Sequence, residues 1–134
     1  MKHHNTHVHF SGMSNFGAAA VALVFAGIAI YYRYELNFAQ QYAFISAGII
    51  TALIASINGF GFLNRRRGEV MFVSSIGLFF AVIGIGGTVL FSGELFSGNL
   101  IATSIALLAG AAFAGLNSMN LYTVHTSRKA FNQF

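Results

Sequence analysis

The chain has 134 residues, of which 56% are hydrophobic and only 7% charged. Soluble domains carry roughly 25% charged residues, so ten charges cannot clothe a soluble fold of this length and the bilayer is the expected solvent. The net charge of +4 is gathered at a few points rather than spread as a stripe, which argues against nucleic acid as a partner, and the lack of cysteine excludes disulfides, thiolate metal sites and iron–sulfur clusters.

Residues 1–15, MKHHNTHVHFSGMSN, read as a polar, His-rich N-terminal tail. The apolar run that follows ends in Tyr31-Tyr32-Arg33-Tyr34 without a small-residue cleavage site, so the tail is expected to be retained and not removed as a signal peptide. Four charge-free stretches come next, at about residues 16–32, 41–63, 70–91 and 99–122, and residues 123–134 form a C-terminal tail. Each stretch is long enough to cross a hydrocarbon core of about 30 Å as a helix. Tyr31, Tyr32, Tyr34, Tyr42 and Tyr122 gather at the span ends, where amphipathic rings settle at the interface. Short connections make consecutive helices antiparallel neighbours. The expected fold is an all-α membrane protein, a 16–122 domain of four transmembrane helices in an up-down bundle.

Three consecutive arginines, Arg65, Arg66 and Arg67, stand between the second and third spans. With both termini on their side of the membrane, that side holds Lys2, Arg65, Arg66, Arg67, Arg128 and Lys129, and the other holds only Arg33. The positive-inside bias then places both termini in the cytoplasm of a bacterial inner-membrane protein, or in the matrix of a mitochondrial one. Arg65, Arg66, Arg67, Arg128 and Lys129 are therefore read as topology anchors that also meet anionic lipid headgroups.

Sliding the chain over itself by 59 residues aligns residues 17–58 with 76–117 without a gap. The matches include Glu35 with Glu94, Leu36 with Leu95 and Asn58 with Asn117, besides several alanines, and they suggest two repeated hairpins. Small residues every four positions mark helix-packing faces in a bilayer, where close contact replaces the hydrophobic drive. Such residues are Gly48, Ala52 and Ser56 in the second span and Gly77, Ala81 and Gly84 in the third. The fourth span has Ala102, Ala106, Gly110 and Ala114. Asn58 and Asn117, each about five residues from the inner helix end, join Ser74 and Ser75 in an expected inner polar layer.

No aspartate, glutamate, lysine, arginine or histidine and no proline falls within a span, which disfavours pumps and broken-helix transporters. The five histidines lie outside the spans, leaving no axial haem ligand, and no cofactor is expected. His3, His4, His7 and His9 are weak candidates for a transition metal. No nucleophile–base pair, carboxylate pair or phosphate loop is present, so the chain does not read as an enzyme.

The segment Gly87-Thr88-Val89-Leu90-Phe91-Ser92-Gly93-Glu94-Leu95-Phe96 resembles the signature of the YgdD-like small membrane proteins, a family of unknown function found in bacterial inner membranes with mitochondrial relatives. Tyr42-Ala43-Phe44 is similar to the start of that family's second span, whereas Glu94 and Ile45 depart from its pattern. The resemblance implies four spans with a basic central turn, and it implies no activity. The leading functional expectation is a non-catalytic accessory or scaffold subunit of a larger membrane protein complex, respiratory assemblies included, acting through lipids and other membrane subunits. The alternatives are a small channel or carrier for a neutral or lipid-like solute and metal handling through the His-rich tail.

Overall fold

A computed structural model describes residues 2–131, with side chains from Val8 onward apart from Ala130. The helices are α1 (Lys2–Tyr31), α2 (Phe38–Leu63), α3 (Arg67–Leu90), the short α4 (Ser92–Phe96) and α5 (Leu100–Thr126), with 3-10 turns at Arg33–Glu35 and Arg128–Ala130. There is no strand among the described residues. Four helical stretches, Val8–Tyr31, Phe38–Leu63, Arg67–Leu90 and Leu100–Thr126, are long and apolar enough to cross a membrane. At 1.5 Å per residue they are roughly 36–40 Å long, more than the ~30 Å hydrocarbon core. The protein is an integral membrane helical bundle.

Its two ends are fixed by different contacts. Val8, Phe62, Val70, Val124 and Phe131 form one buried cluster, so the start of α1, the α2–α3 turn and the end of α5 share an end with the arginine triplet. At the other end Asn37 caps α2 through a capping box with Gln40, satisfying helix N–H groups that have no intrahelical acceptor. The same two side chains reach across to α4: Asn37 Nδ2 donates to the Glu94 carbonyl at 3.1 Å and Gln40 Nε2 to the Leu95 carbonyl at 2.7 Å. Phe44 stacks on Phe96 with ring centroids 5.5 Å apart.

The helices meet along seams whose buried positions alternate in steps of four and three. On α1 these are Val8, Gly12, Asn15, Ala19, Ala22, Ala26 and Ala29, and on α2 they are Gly48, Ala52, Ala55, Gly59 and Phe62. This spacing averages 3.5 residues, the pattern of helices crossing at about 20°. Alanine and glycine let the α1 and α2 backbones approach closely: a Cβ on Gly48 would lie 2.7 Å from that of Ala26. The α3 seam is Val70, Ser74, Gly77 and Ala81, and the α5 seam is Phe113, Asn117, Asn120 and Val124. Contacts within the α1–α2 and α3–α5 hairpins exceed those between them. The hairpins also repeat in geometry: α1 ends at Tyr31 and α3 at Leu90, the same 59-residue step seen in the sequence.

Several expectations are corrected. Residues 2–15 continue α1 and do not form a separate tail, because Ser11 and Asn15 lie on the seam side and the stretch contains no proline. α2 and α3 each begin three residues before the predicted spans, and α5 runs to Thr126, taking in the start of the expected C-terminal tail. Gly84 is exposed, and a Cβ there would meet no neighbour within 4 Å. The next step of three along the α3 seam falls on Gly84, but burial along α3 ends at Ala81. Gly77, Ala81, Gly48 and Ala52 are buried, and Ser56, Ala102, Ala106, Gly110 and Ala114 are half-buried.

Candidate functional site

Polar side chains form a layer near the basic end. Asn58 on α2 and Asn117 on α5 are fully buried, and Asn58 Nδ2 donates to Asn117 Oδ1 at 3.4 Å. These residues are 59 apart, the step of the repeat, so the contact joins equivalent positions of the two hairpins. Asn117 Nδ2 donates to the Phe113 carbonyl at 2.8 Å, which fixes its amide orientation. The amide lies directly on Gly77, where any Cβ would overlap it. Ser74, one turn from Gly77 on α3, is also fully buried.

A second pair was not anticipated. Asn15 Nδ2 donates to Asn120 Oδ1 at 2.8 Å, and Asn120 Nδ2 donates back to Asn15 Oδ1 at 2.9 Å. Asn15 Nδ2 also reaches the Ser11 carbonyl at 2.7 Å, and Ser11 Oγ lies 3.4 Å from Thr123 Oγ1. This reciprocal amide pair ties α1 to α5. Asn120 fell within the predicted fourth span and was a readable signal, as a third asparagine at membrane depth. Asn15 was assigned to the tail, although the 59-residue step pairs it with Ser74.

The structure brings Asn58, Ser74 and Asn117 into the layer and leaves Ser75 out. Ser75 is exposed on α3, and its hydroxyl donates to the Met71 carbonyl at 2.8 Å. Ser74 and Ser75 differ by about 100° around the helix, so only one of them can face the bundle. Two buried atoms of the layer, Asn58 Oδ1 and Ser74 Oγ, have no hydrogen-bond partner among the described residues. The layer consists of neutral amides and hydroxyls, whose chemistry is hydrogen bonding without a change of charge.

The basic residues gather outside this layer. Arg65 adopts a left-handed backbone with φ of 55°, which turns the chain from α2 into α3. Arg66 pairs with Glu69 at 3.4 Å in solvent, a weak exposed contact. Arg67 buries its Nε without a hydrogen-bond partner among the described residues. Arg128 and Lys129 are exposed beyond α5. His9 is exposed on α1, and the side chains of His3, His4 and His7 lie outside the described residues, as do residues 132–134 of the C-terminal tail. Among the described residues no three of His, Cys, Asp and Glu converge. No family model, curated protein or solved structure matches the chain.

Proposed function

We propose that the chain is a non-catalytic accessory or scaffold subunit of a larger membrane complex, docking other membrane subunits through the halves of α3 and α5 farthest from the arginine turn. One asymmetry carries this reading. The corresponding half of the first hairpin buries Ala22, Ala26, Ala29 and Gly48 in its own seam, whereas α3 beyond Ala81 and α5 before Phe113 bury no residue. Yet this half of α3 is as rich in small residues, and Gly84, Gly86 and Gly87 have open space around them. Small residues at membrane depth allow a partner helix to approach.

Gly84→Leu combined with Gly87→Leu is expected to release the protein from its complex without lowering the stability of the isolated bundle. Native gels of gently solubilised membranes, read beside unfolding of the purified protein, test this. If the wild-type chain migrates only as a monomer or small homo-oligomer, the reading fails.

The second reading is passage of a small neutral solute, favoured by the unpartnered Asn58 Oδ1 and Ser74 Oγ. Unchanged liposome leak in a variant carrying Asn58→Leu and Asn117→Leu would remove it.

The orientation that accompanies the proposal puts the arginine end in the cytoplasm or matrix. Arg65→Asn, Arg66→Gln and Arg67→Gln together leave three basic residues against one, from six against one. A mixed population of orientations is expected. The chain has no native cysteine, so single introduced cysteines labelled from each side of the membrane read the outcome directly. A uniform orientation would show that the triplet does not set topology.

A further inference from the structure

Asn58 Oδ1 and Ser74 Oγ are fully buried in the inner polar layer and have no hydrogen-bond partner among the described residues. Hydrocarbon supplies none, and a polar atom left in this way costs its full desolvation. Exchanging the oxygen and nitrogen of Asn58 brings no relief. Asn117 Nδ2 is committed to the Phe113 carbonyl at 2.8 Å, so Asn117 Oδ1 is the atom that faces Asn58. A turned Asn58 amide would set two oxygens against each other. Asn58 Nδ2 therefore stays toward Asn117, and Asn58 Oδ1 is the atom left over.

Two contacts place Ser74 opposite that amide. α2 and α3 run antiparallel, and a Cβ on Gly61 would come 2.6 Å from Val70 Cγ2. One turn farther from the arginine end, Asn58 bonds the Asn117 amide, which itself lies on Gly77. Ser74 stands between Val70 and Gly77 on the buried face of α3, so the register sets it level with Asn58. No hydrogen bond joins the two side chains directly.

Asn117 Oδ1 completes the set. It accepts one long bond, at 3.4 Å from Asn58 Nδ2, and a carbonyl oxygen has a second lone pair. The three groups thus offer two accepting oxygens and a hydroxyl that can donate. A cation would meet no carboxylate here: the acidic residues are Glu35, Glu69 and Glu94, which lie in a turn, the first turn of α3 and α4. An uncompensated charge at membrane depth is expensive, so the fitting guest is neutral, small, and both donor and acceptor. We infer that one water molecule resides between α2, α3 and α5, donating to Asn58 Oδ1 and Asn117 Oδ1 and accepting from the Ser74 hydroxyl. About three hydrogen bonds are usual for a buried water. A resident water needs no path through the bundle, so the inference stands apart from both the scaffold reading and solute passage.

The experiment uses the full chain, deuterated on carbon and labelled with nitrogen-15, in lipid nanodiscs. Magnetisation transfer from water to amide protons is read by NMR in the laboratory and rotating frames. The Asn58 side-chain amide is expected to show a water cross-peak of opposite sign in the two frames, which marks dipolar contact and not exchange of its own protons. The backbone amides of Ala52 and Ala81 are also buried, roughly 9–11 Å farther along their helices from Asn58 and Ser74, and should show none. Ser74→Ala removes the hydroxyl but neither amide oxygen, and the cross-peak is expected to persist. Its loss in that variant would show that the signal was relayed through the serine hydroxyl proton and would overturn the inference. Absence of the cross-peak at Asn58 in the wild-type chain would overturn it without recourse to any variant. Equally strong cross-peaks at Ala52 and Ala81 would overturn it as well, because they would mark a water-filled path and not a single held molecule.

Discussion

Gly77→Ala is expected to destabilise the bundle by about 2–4 kcal/mol, combining ~1–3 for overpacking with up to ~1.7 for displaced hydrogen bonds in a membrane protein. One methyl group has this effect because the Asn117 amide occupies the place where it would go. The amide cannot simply retreat: it is held by its bond to the Phe113 carbonyl and receives the Asn58 N–H. The substitution therefore disturbs α3, α5 and α2 together. Unfolding of the purified protein by denaturing detergent measures the loss. Asn117→Ala should partly rescue Gly77→Ala, since it removes the group that the methyl strikes, and the two changes combined should cost less than their sum. Strictly additive costs would mean that the Gly77–Asn117 contact is not what holds this layer.

The second large effect is expected at the reciprocal amides. Asn15→Leu and Asn120→Leu should each cost about 1–3 kcal/mol, the range for leaving a buried polar group without its partner. The double variant places two apolar groups of similar size together and should recover much of that loss. The signature is a coupling of about 1 kcal/mol or more in the double-mutant cycle, within the range for contacting residues. Additive losses from the two substitutions would contradict a working pair. Exposed Ser75 provides the comparison: Ser75→Ala removes only a local bond to the Met71 carbonyl and should change stability by less than about 0.5 kcal/mol.

The four spans were legible because exclusion of charge from hydrocarbon leaves long uncharged runs, and the arginine triplet marks the turn between hairpins. The beginning of α1 was not legible by the same rule. Histidine, asparagine and serine lower mean hydropathy but do not stop a helix, and Ser11 and Asn15 are polar because they face Thr123 and Asn120. Composition registers their polarity and not their direction. The seams were half legible: the spacing of small residues finds Gly77 and Ala81 but runs on to Gly84, where α3 no longer buries a residue, and spacing alone does not mark where burial ends. Of the polar layer, Asn58, Asn117 and Ser74 were readable from depth. The Asn15–Asn120 pair needed the knowledge that α1 and α5 converge at the arginine end, a long-range fact that local patterns do not contain.

The repeat-related amides also have a consequence for synthesis. α1 and α2 are made first, and their alanine–glycine seam is complete as soon as α2 ends at Leu63. Asn15 and Asn58 then have no Asn120 or Asn117 to meet. At about 5–20 residues per second, the missing partners arrive several seconds later. During that interval the unfinished chain carries unmatched carboxamides into a solvent that cannot hydrogen-bond them. A nascent hairpin is thereby chemically distinguishable from a finished bundle, and translation of α5 removes the distinction.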